Sequence, residues 1–159
     1  MRKLCFAAMA LCVIGGPALA AEPTGDWMVA DKTAVIRIAP CGEALCGNIV
    51  WTKGPAGTDT NNPDPAKRNR SVIGLPILLE MKPAGNRWDG EIYNAQDGKT
   101  YSGHIAPTGE NGLRIEGCVL GFLCGGENWT RAKCDEAAPP AGKRPATPAP
   151  AVTSCREPK

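Results

Sequence analysis

Few side chains in this sequence combine the type and the spacing that catalysis requires. Ser102 and His104 are separated by one residue, and a Ser-His pair is the centre of nucleophilic hydrolysis. Residues two apart on a strand face the same side, and we expect this pair on the solvated outer face. The chain has one histidine, which also argues against a zinc site. The sequence therefore predicts that the protein is not an enzyme.

A second cluster of polar side chains carries the oxygen atoms that Ca²⁺ prefers. Asp59, Asn61 and Asp64 lie within six positions of one another, but Pro63 interrupts the alternating spacing of an EF-hand loop. Asp and Asn in such stretches commonly form Asx turns, and we interpret the cluster in that way. We predict no metal site and no cofactor.

Cysteine spacing indicates disulfide bonds. Six cysteines follow residue 20: Cys41, Cys46, Cys118, Cys124, Cys134 and Cys155. The first two flank a short loop, as do the next two, and the opposed ends of a hairpin satisfy disulfide geometry. Neither spacing is the Cys-x-x-Cys of redox motifs. The last two cysteines either join the tail to the domain or stay unpaired.

The amino terminus has the organisation of an export signal. Arg2 and Lys3 precede an apolar run over 4–14, and Ala18-Leu19-Ala20 is a small-residue cleavage site. The run is shorter than the roughly 20 residues of a membrane-spanning helix. We predict cleavage near Ala20, a periplasmic or secreted protein and no membrane span. Without Arg2 and Lys3, the 18 basic residues become equal in number to the 16 acidic ones, which argues against a nucleic-acid partner.

Strands, rather than helices, must position whatever site exists. Short segments of alternating polarity recur between Gly, Pro, Asn and Asp, a pattern typical of an all-β domain. Neighbouring segments are mostly joined by short turns, which favours a small antiparallel up-and-down barrel. The eight predicted strands cover residues 26–30, 34–39, 47–52, 75–81, 87–93, 100–106, 113–119 and 127–133.

Side-chain parity assigns an interior to this barrel. It sorts nearly all charged residues outward. The side chains that it places inward include Ile36, Ile49, Trp51, Leu79 and Met81. Three glycines face inward on consecutive strands, where they either let the sheet bend or leave room for a ligand. The candidate ligand-binding lumen is Gly90, Ile92, Tyr101, Gly103, Ile105, Ile115 and Gly117.

The first and last strands carry residues that would close the barrel. Trp27 lies in Gly25-Asp26-Trp27. Trp129 and Arg131 are two residues apart on the last strand and therefore face the same side of the sheet. If that side is inward, the Arg131 guanidinium covers the Trp27 ring in a cation–π contact worth about 0.5–2 kcal/mol. The alternative is that Trp129 packs and Arg131 extends to the rim.

These motifs together resemble a bacterial exported family known as domain of unknown function 2147. The resemblance rests on Gly25-Asp26-Trp27, on Cys41-Gly42 with Leu45-Cys46-Gly47, on Asn62-Pro63-Asp64, on Gly90-Glu91-Ile92-Tyr93 with Asp97-Gly98-Lys99-Thr100-Tyr101, and on Trp129-Thr130-Arg131. It implies a periplasmic or secreted protein with a lipocalin-like β-barrel, and it implies no established reaction or ligand.

Two functions are compatible with a barrel at residues 21–134. One is binding of a small apolar or amphipathic ligand, with the long 53–74 connection as a lid. The other is an envelope protein-interaction or inhibitor-like module that acts through that connection and the tail. The tail, 135–159, is rich in Pro and Ala and has few large side chains, and it is expected to be disordered or extended.

Overall fold

A computed structural model of the chain describes residues 22–136 and 152–158. The predictions for residues 1–20, and for the tail between 137 and 151, lie outside this range. Eight strands form the main sheet: β1 (Gly25–Met28), β2 (Ala34–Cys41), β3 (Ala44–Thr52), β4 (Pro76–Ala84), β5 (Arg87–Asn94), β6 (Lys99–Pro107), β7 (Gly112–Val119) and β8 (Leu123–Arg131).

The sheet closes on itself in chain order. Each strand pairs antiparallel with the next, and β8 returns to β1 through the pairs Trp27↔Arg131 and Met28↔Thr130. All eight predicted strands are present, although β8 begins four residues earlier than expected. The predicted all-β, eight-stranded up-and-down barrel is therefore confirmed. No helix in the part of the chain that the structure describes is long and apolar enough to cross a membrane.

Two bulges shift the parity that simple alternation assigns. In β4, Leu78 and Met81 are fully buried, and Leu79 lies opposite the exposed Glu91. The prediction of Leu79 as an inward residue is wrong because the ladder is irregular between Leu79 and Lys82. Glu80 within this irregularity has a φ of 47°, and a residue inserted into one strand reverses the facing of its neighbours.

The same effect corrects the placement of Trp51. A register shift in the β2–β3 ladder places Trp51 opposite Val35 and Ile49 opposite Ile36. Ile36 and Ile49 belong to the barrel core, whereas Val35 belongs to a second apolar cluster, against which Trp51 packs. Trp51 is therefore an outward residue and not an inward one.

The tail forms structure where disorder was predicted. Strand β9 (Lys133–Glu136) pairs antiparallel with β10 (Val152–Arg156), and a disulfide joins Cys134 to Cys155. Both cysteines pack against the second cluster, whose buried members are Met28, Val35 and Ala132. Asp135-Glu136 and Val152–Arg156 are therefore extended and paired rather than disordered, because this pairing and the disulfide hold the two segments together.

The other two disulfides have the pairing that the cysteine positions predicted. Cys41 is bonded to Cys46 across the β2–β3 hairpin, and Cys118 to Cys124 across the β7–β8 hairpin. Each bond therefore stabilises a connection between neighbouring strands.

The long connection 53–74 is held by a buried polar network. Asp59 has no exposed surface, and it accepts hydrogen bonds from the Tyr93 hydroxyl at 2.7 Å, from Asn62 Nδ2 at 2.7 Å and from Arg70 Nη2 at 2.8 Å. Asp64 caps a short 3₁₀ turn, as an Asx residue does. Asp59 is thus a core residue of the connection rather than part of an Asx turn.

Candidate functional site

One end of the barrel is closed by Trp27 and Arg131. The Arg131 guanidinium carbon lies 3.8 Å from the centroid of the fully buried Trp27 ring. Arg131 also donates hydrogen bonds to the backbone carbonyls of Thr24, Glu22 and Glu110, and Trp27 Nε1 donates to the Pro23 carbonyl at 2.7 Å. The cation–π contact that parity predicted is present, and it fastens the segment before β1 across this end.

The opposite end contains a cavity of about 460 Å³. In an up-and-down barrel the β1–β2, β3–β4, β5–β6 and β7–β8 connections share one end, and the lining includes residues of the first and third of them. Its largest apolar contributors come from six different strands: Ile36, Ile49, Ile77, Ile92, Ile115 and Trp129. The cavity is thus an apolar chamber at the end of the barrel opposite the Trp27–Arg131 closure.

A row of glycines crosses four strands beside this chamber. The ladder pairs Gly90 with Gly103, Gly103 with Gly117, and Gly117 with Gly125. A Cβ on Gly90 would lie 2.7 Å from Met81 Sδ, and one on Gly103 would lie 2.6 Å from Ile92 Cδ1. A Cβ on Gly125 would meet no atom within 4 Å. Neighbouring atoms therefore fill the space beside Gly90 and Gly103, whereas the space beside Gly125 belongs to the chamber.

Only some of the residues predicted to form the ligand-binding lumen line the cavity. Ile92, Ile115 and Gly117 line the cavity. Ile105 is fully buried in the packed core, and the space beside Gly90 and Gly103 is filled by neighbouring atoms.

Tyr101 is the remaining residue of the predicted lumen, and it does not line the cavity. Its hydroxyl donates to the Asp97 carboxylate beside the β5–β6 turn. That hydrogen bond lowers the pKa of Asp97 below its ordinary value.

Several lining residues were not singled out from the sequence. Ile36 and Ile49 were assigned inward without being placed in a site, and Trp129 was assigned to closure, although it is buried at the cavity wall. Glu127 also lines the cavity, and its carboxylate accepts a hydrogen bond from Trp129 Nε1. The parity that placed Trp129 inward applies equally to Glu127, two residues earlier.

The connection 53–74 borders the open end but does not form the cavity wall. Asn61 Nδ2 donates to the Gln96 carbonyl at 2.8 Å, which joins the connection to the β5–β6 turn. Gln96 lines the cavity, whereas none of residues 53–74, all of which the structure describes, does so. Its contribution is to hold the β5–β6 turn in place.

Large apolar side chains are exposed next to the cavity on the β7–β8 hairpin. The exposed fractions are 49% for Val119, 79% for Leu120, 71% for Phe122 and 60% for Leu123. These residues form the tip of the hairpin, 119–123. Cys118 and Cys124 separate this tip from Gly117 and Gly125, both of which line the cavity. Exposed apolar groups of this size commonly mark contact or entry sites.

Ser102 and His104 lie on β6, and they do not border the chamber. His104 Nε2 is 2.8 Å from Glu116 Oε2, and Arg114 Nη2 is 2.8 Å from Glu116 Oε1. This carboxylate therefore engages both basic side chains. Within residues 22–136 and 152–158, no group of three or more His, Cys, Asp or Glu side chains is placed to hold a metal ion.

Comparison with solved structures supports the fold. HP1028 of Helicobacter pylori, described as a member of the lipocalin family, superposes with a TM-score of 0.63 at 21% sequence identity. The alignment covers 70% of this chain and 83% of the other. The chain is thus similar in fold to a lipocalin-family barrel.

Comparison with curated proteins gives no match. A family model described as "Uncharacterized protein conserved in bacteria (DUF2147)" matches residues 25–131, the whole barrel from β1 to β8. This agrees with the resemblance found in the sequence motifs, and the chain belongs to the bacterial family DUF2147.

Proposed function

We propose that this protein is an exported, non-catalytic binding protein that holds one small apolar or amphipathic molecule in its barrel cavity. The observation that carries the proposal is the chamber of about 460 Å³ lined by isoleucines from five strands and by Trp129. Cavities of roughly 300–1,000 Å³ with mainly apolar walls are typical of small-molecule sites.

The polar atoms at the wall suit an amphipathic ligand. Tyr93, Asn94 and Gln96 contribute to the lining near the β5–β6 turn, and Asp31 and Thr33 contribute near the β1–β2 turn. The isoleucines therefore offer an apolar environment for a hydrocarbon group, while the turns offer partners for a polar head. The exposed tip of the β7–β8 hairpin provides an apolar surface at the same end.

Export is supported by the apolar amino-terminal run and by the three disulfides. Such bonds persist in oxidising compartments and are rare in the bacterial cytosol. The alternative function, an envelope protein-interaction or inhibitor-like module acting through the 53–74 connection and the tail, has less support. The buried polar side chain of the connection, Asp59, is hydrogen-bonded to Tyr93 within this protein, and the described part of the tail is paired with its own strand β9. These groups are therefore not free to bind a partner.

A cavity-filling substitution tests the binding proposal. Gly125→Leu adds a side chain where a Cβ meets no atom within 4 Å, and this residue lines the chamber. Binding of N-phenyl-1-naphthylamine, a neutral apolar fluorophore, would be titrated with both proteins. We expect the added leucine side chain to occupy the ligand space and to weaken binding at least about tenfold. This factor corresponds to a loss of roughly 1.4 kcal/mol in binding free energy.

The matched control is Gly57→Leu. Gly57 also has no atom within 4 Å of its Cβ position, and it is an exposed residue of the 53–74 connection outside the cavity. This variant should bind the fluorophore like the parent protein. Binding by the parent that Gly125→Leu leaves unchanged, in a variant with a native circular dichroism spectrum, would reject the chamber as the site. Failure of the parent to bind the fluorophore or any of the alkyl probes described below would reject the proposed function.

A further inference from the structure

We propose that the cavity selects amphipathic ligands with a cationic head, such as alkylammonium compounds, over those with a carboxylate head. This inference rests on the proposed function and adds the chemical class of the ligand. It follows from the charge of the cavity wall, on which Glu127 is the central residue.

Glu127 lies on β8 with its side chain at the cavity. Its strand partner is Ile115, a lining residue, and Trp129 on the same face donates its indole N–H to Glu127 Oε1. This hydrogen bond holds the carboxylate at the N–H edge of the Trp129 ring. A carboxylate fixed in this way attracts an ammonium group through its charge and accepts a charge-assisted hydrogen bond from it.

The second carboxylate oxygen of Glu127 is available to a ligand. Within the described ranges, Oε2 has no hydrogen-bond partner, and no Lys, Arg or His nitrogen lies within the 4.0 Å of a salt bridge to Glu127. The charge of Glu127 is therefore not neutralised by the protein. An ammonium group can donate to Oε2 while its alkyl chain lies against the isoleucines.

The other charged residue at the cavity has the same sign. Asp31 lines it at the β1–β2 turn and accepts hydrogen bonds from the backbone N–H and the hydroxyl of Thr33. The neighbouring Lys32 does not line the cavity, and its Nζ is 2.8 Å from Glu157 Oε2. No Lys, Arg or His is among the lining residues of the part of the chain described here. The field inside the cavity is therefore negative, and a carboxylate ligand would be repelled.

Three alkyl probes of equal chain length isolate the head group. Dodecylammonium, dodecanol and dodecanoate would each displace N-phenyl-1-naphthylamine from the mature protein at neutral pH. Because Glu127 is open to solvent, which screens its charge, we expect moderate discrimination, with dodecylammonium binding about five- to tenfold more tightly than dodecanoate. Dodecanol should be intermediate.

The variant Glu127→Gln keeps the size of the side chain and removes its charge. We expect the preference for the ammonium probe to fall to about twofold or less, with dodecanol affinity unchanged. Glu43→Gln, on the exposed β2–β3 turn, is the matched control and should keep the full preference. Circular dichroism of each variant would establish that it is folded.

The outcomes separate the inference from the proposed function. If the fluorophore and all three alkyl probes fail to bind the parent protein, the proposed function fails and the inference fails with it. If the three alkyl probes bind equally, or dodecanoate binds most tightly, the cavity is a binding site but the inference of charge selection is wrong. If the preference persists unchanged in Glu127→Gln, its origin is not this carboxylate and the inference is likewise overturned.

Discussion

Asp59 shows how a single charged residue can be kept inside a small β-barrel protein. Burial raises the pKa of its carboxyl group, but the hydrogen bonds from Tyr93, Asn62 and Arg70 outweigh that effect and hold the pKa below its ordinary value of 3.8. Burial and the hydrogen bond to Asp59 raise the pKa of Tyr93 in turn. The network therefore requires an ionised Asp59 and a neutral Tyr93.

The lowered pKa of Asp59 predicts a contribution to stability that is lost in acid. Below about pH 4 the unfolded chain binds this proton more readily than the native protein does, so the free energy of unfolding should fall as pH decreases. In Asp59→Asn this part of the pH dependence should be absent. We expect the variant to be about 1–3 kcal/mol less stable than the parent at pH 7, because a buried hydrogen-bond network is disrupted.

Urea unfolding of both proteins between about pH 7 and pH 2 measures this effect. The stability difference should narrow towards the acid end, where Asp59 of the parent becomes protonated. Glu43→Gln, an exposed carboxyl on the β2–β3 turn, provides the comparison. A difference that stays constant over the whole pH range would show that Asp59 does not titrate as proposed.

At the residue scale, a contact between two side chains could be predicted from the sequence only where the pairing of strands brings them together. Trp27 and Arg131 were predicted to meet because they lie on the first and last strands, which a closed barrel must pair. Asp59 and Tyr93 were not, because nothing in the local sequence says where a long connection folds back. Glu127 was overlooked because acidic residues on strands are ordinarily solvated.

At the scale of strands, the glycine row leaves one strip of the sheet without side chains. Gly90, Gly103, Gly117 and Gly125 face one another across four strands, so neighbouring atoms can approach the backbone there. Main-chain and side-chain atoms of neighbouring strands approach closely at Gly90 and Gly103, where an added Cβ would be too near to them. These two glycines are therefore required by close packing of the sheet rather than by a ligand.

An alanine scan along the row should give opposite results at its two ends. Gly103→Ala would place a Cβ against the Glu116 carbonyl oxygen and 2.6 Å from Ile92 Cδ1, and we expect a loss of about 1–3 kcal/mol through overpacking. Gly125→Ala meets open space and should be neutral or stabilising by about 0.4–1 kcal/mol. Urea unfolding measures both changes, and equal losses at the two sites would contradict this account of the row.

The positions of the strands were predictable because alternating polarity and turn residues repeat along the chain. The side of the sheet that each residue faces was predictable only up to the first bulge. Glu80 and Val50 have the sequence features of ordinary strand residues, but the register of the ladder shifts next to each of them. Leu79 and Trp51 consequently face outward. A bulge depends on contacts between strands, and these contacts are not visible in the sequence of one strand.

For the whole molecule, the β9–β10 pair acts as an outer cover on the barrel. Met28, Val35 and Ala132 lie on the outside of the sheet and are nonetheless buried, because Cys134 and Cys155 pack against them. The low content of large side chains in residues 135–159 predicts that the tail cannot form a core of its own. The composition does not reveal that the tail can pack against apolar side chains on the outside of the barrel.

Removal of the Cys134–Cys155 bond should destabilise the whole domain. This bond spans 21 residues, and the loop entropy of the unfolded chain then corresponds to about 3 kcal/mol. The variant Cys134→Ser/Cys155→Ser should lower the free energy of unfolding by about that amount in urea. Cys41→Ser/Cys46→Ser opens a separation of only 5 residues and should cost about 2 kcal/mol. An unchanged stability in the first variant would mean that β9 and β10 unfold separately from the barrel.

The order of the disulfides has a consequence for how the chain matures. Each bond joins cysteines that are neighbours among the six: Cys41 to Cys46, Cys118 to Cys124, and Cys134 to Cys155. A chain that emerges amino end first into an oxidising compartment presents both partners of one bond before the next cysteine arrives. Stepwise oxidation in the order of emergence then produces the native connectivity directly, without later exchange between wrongly paired thiols.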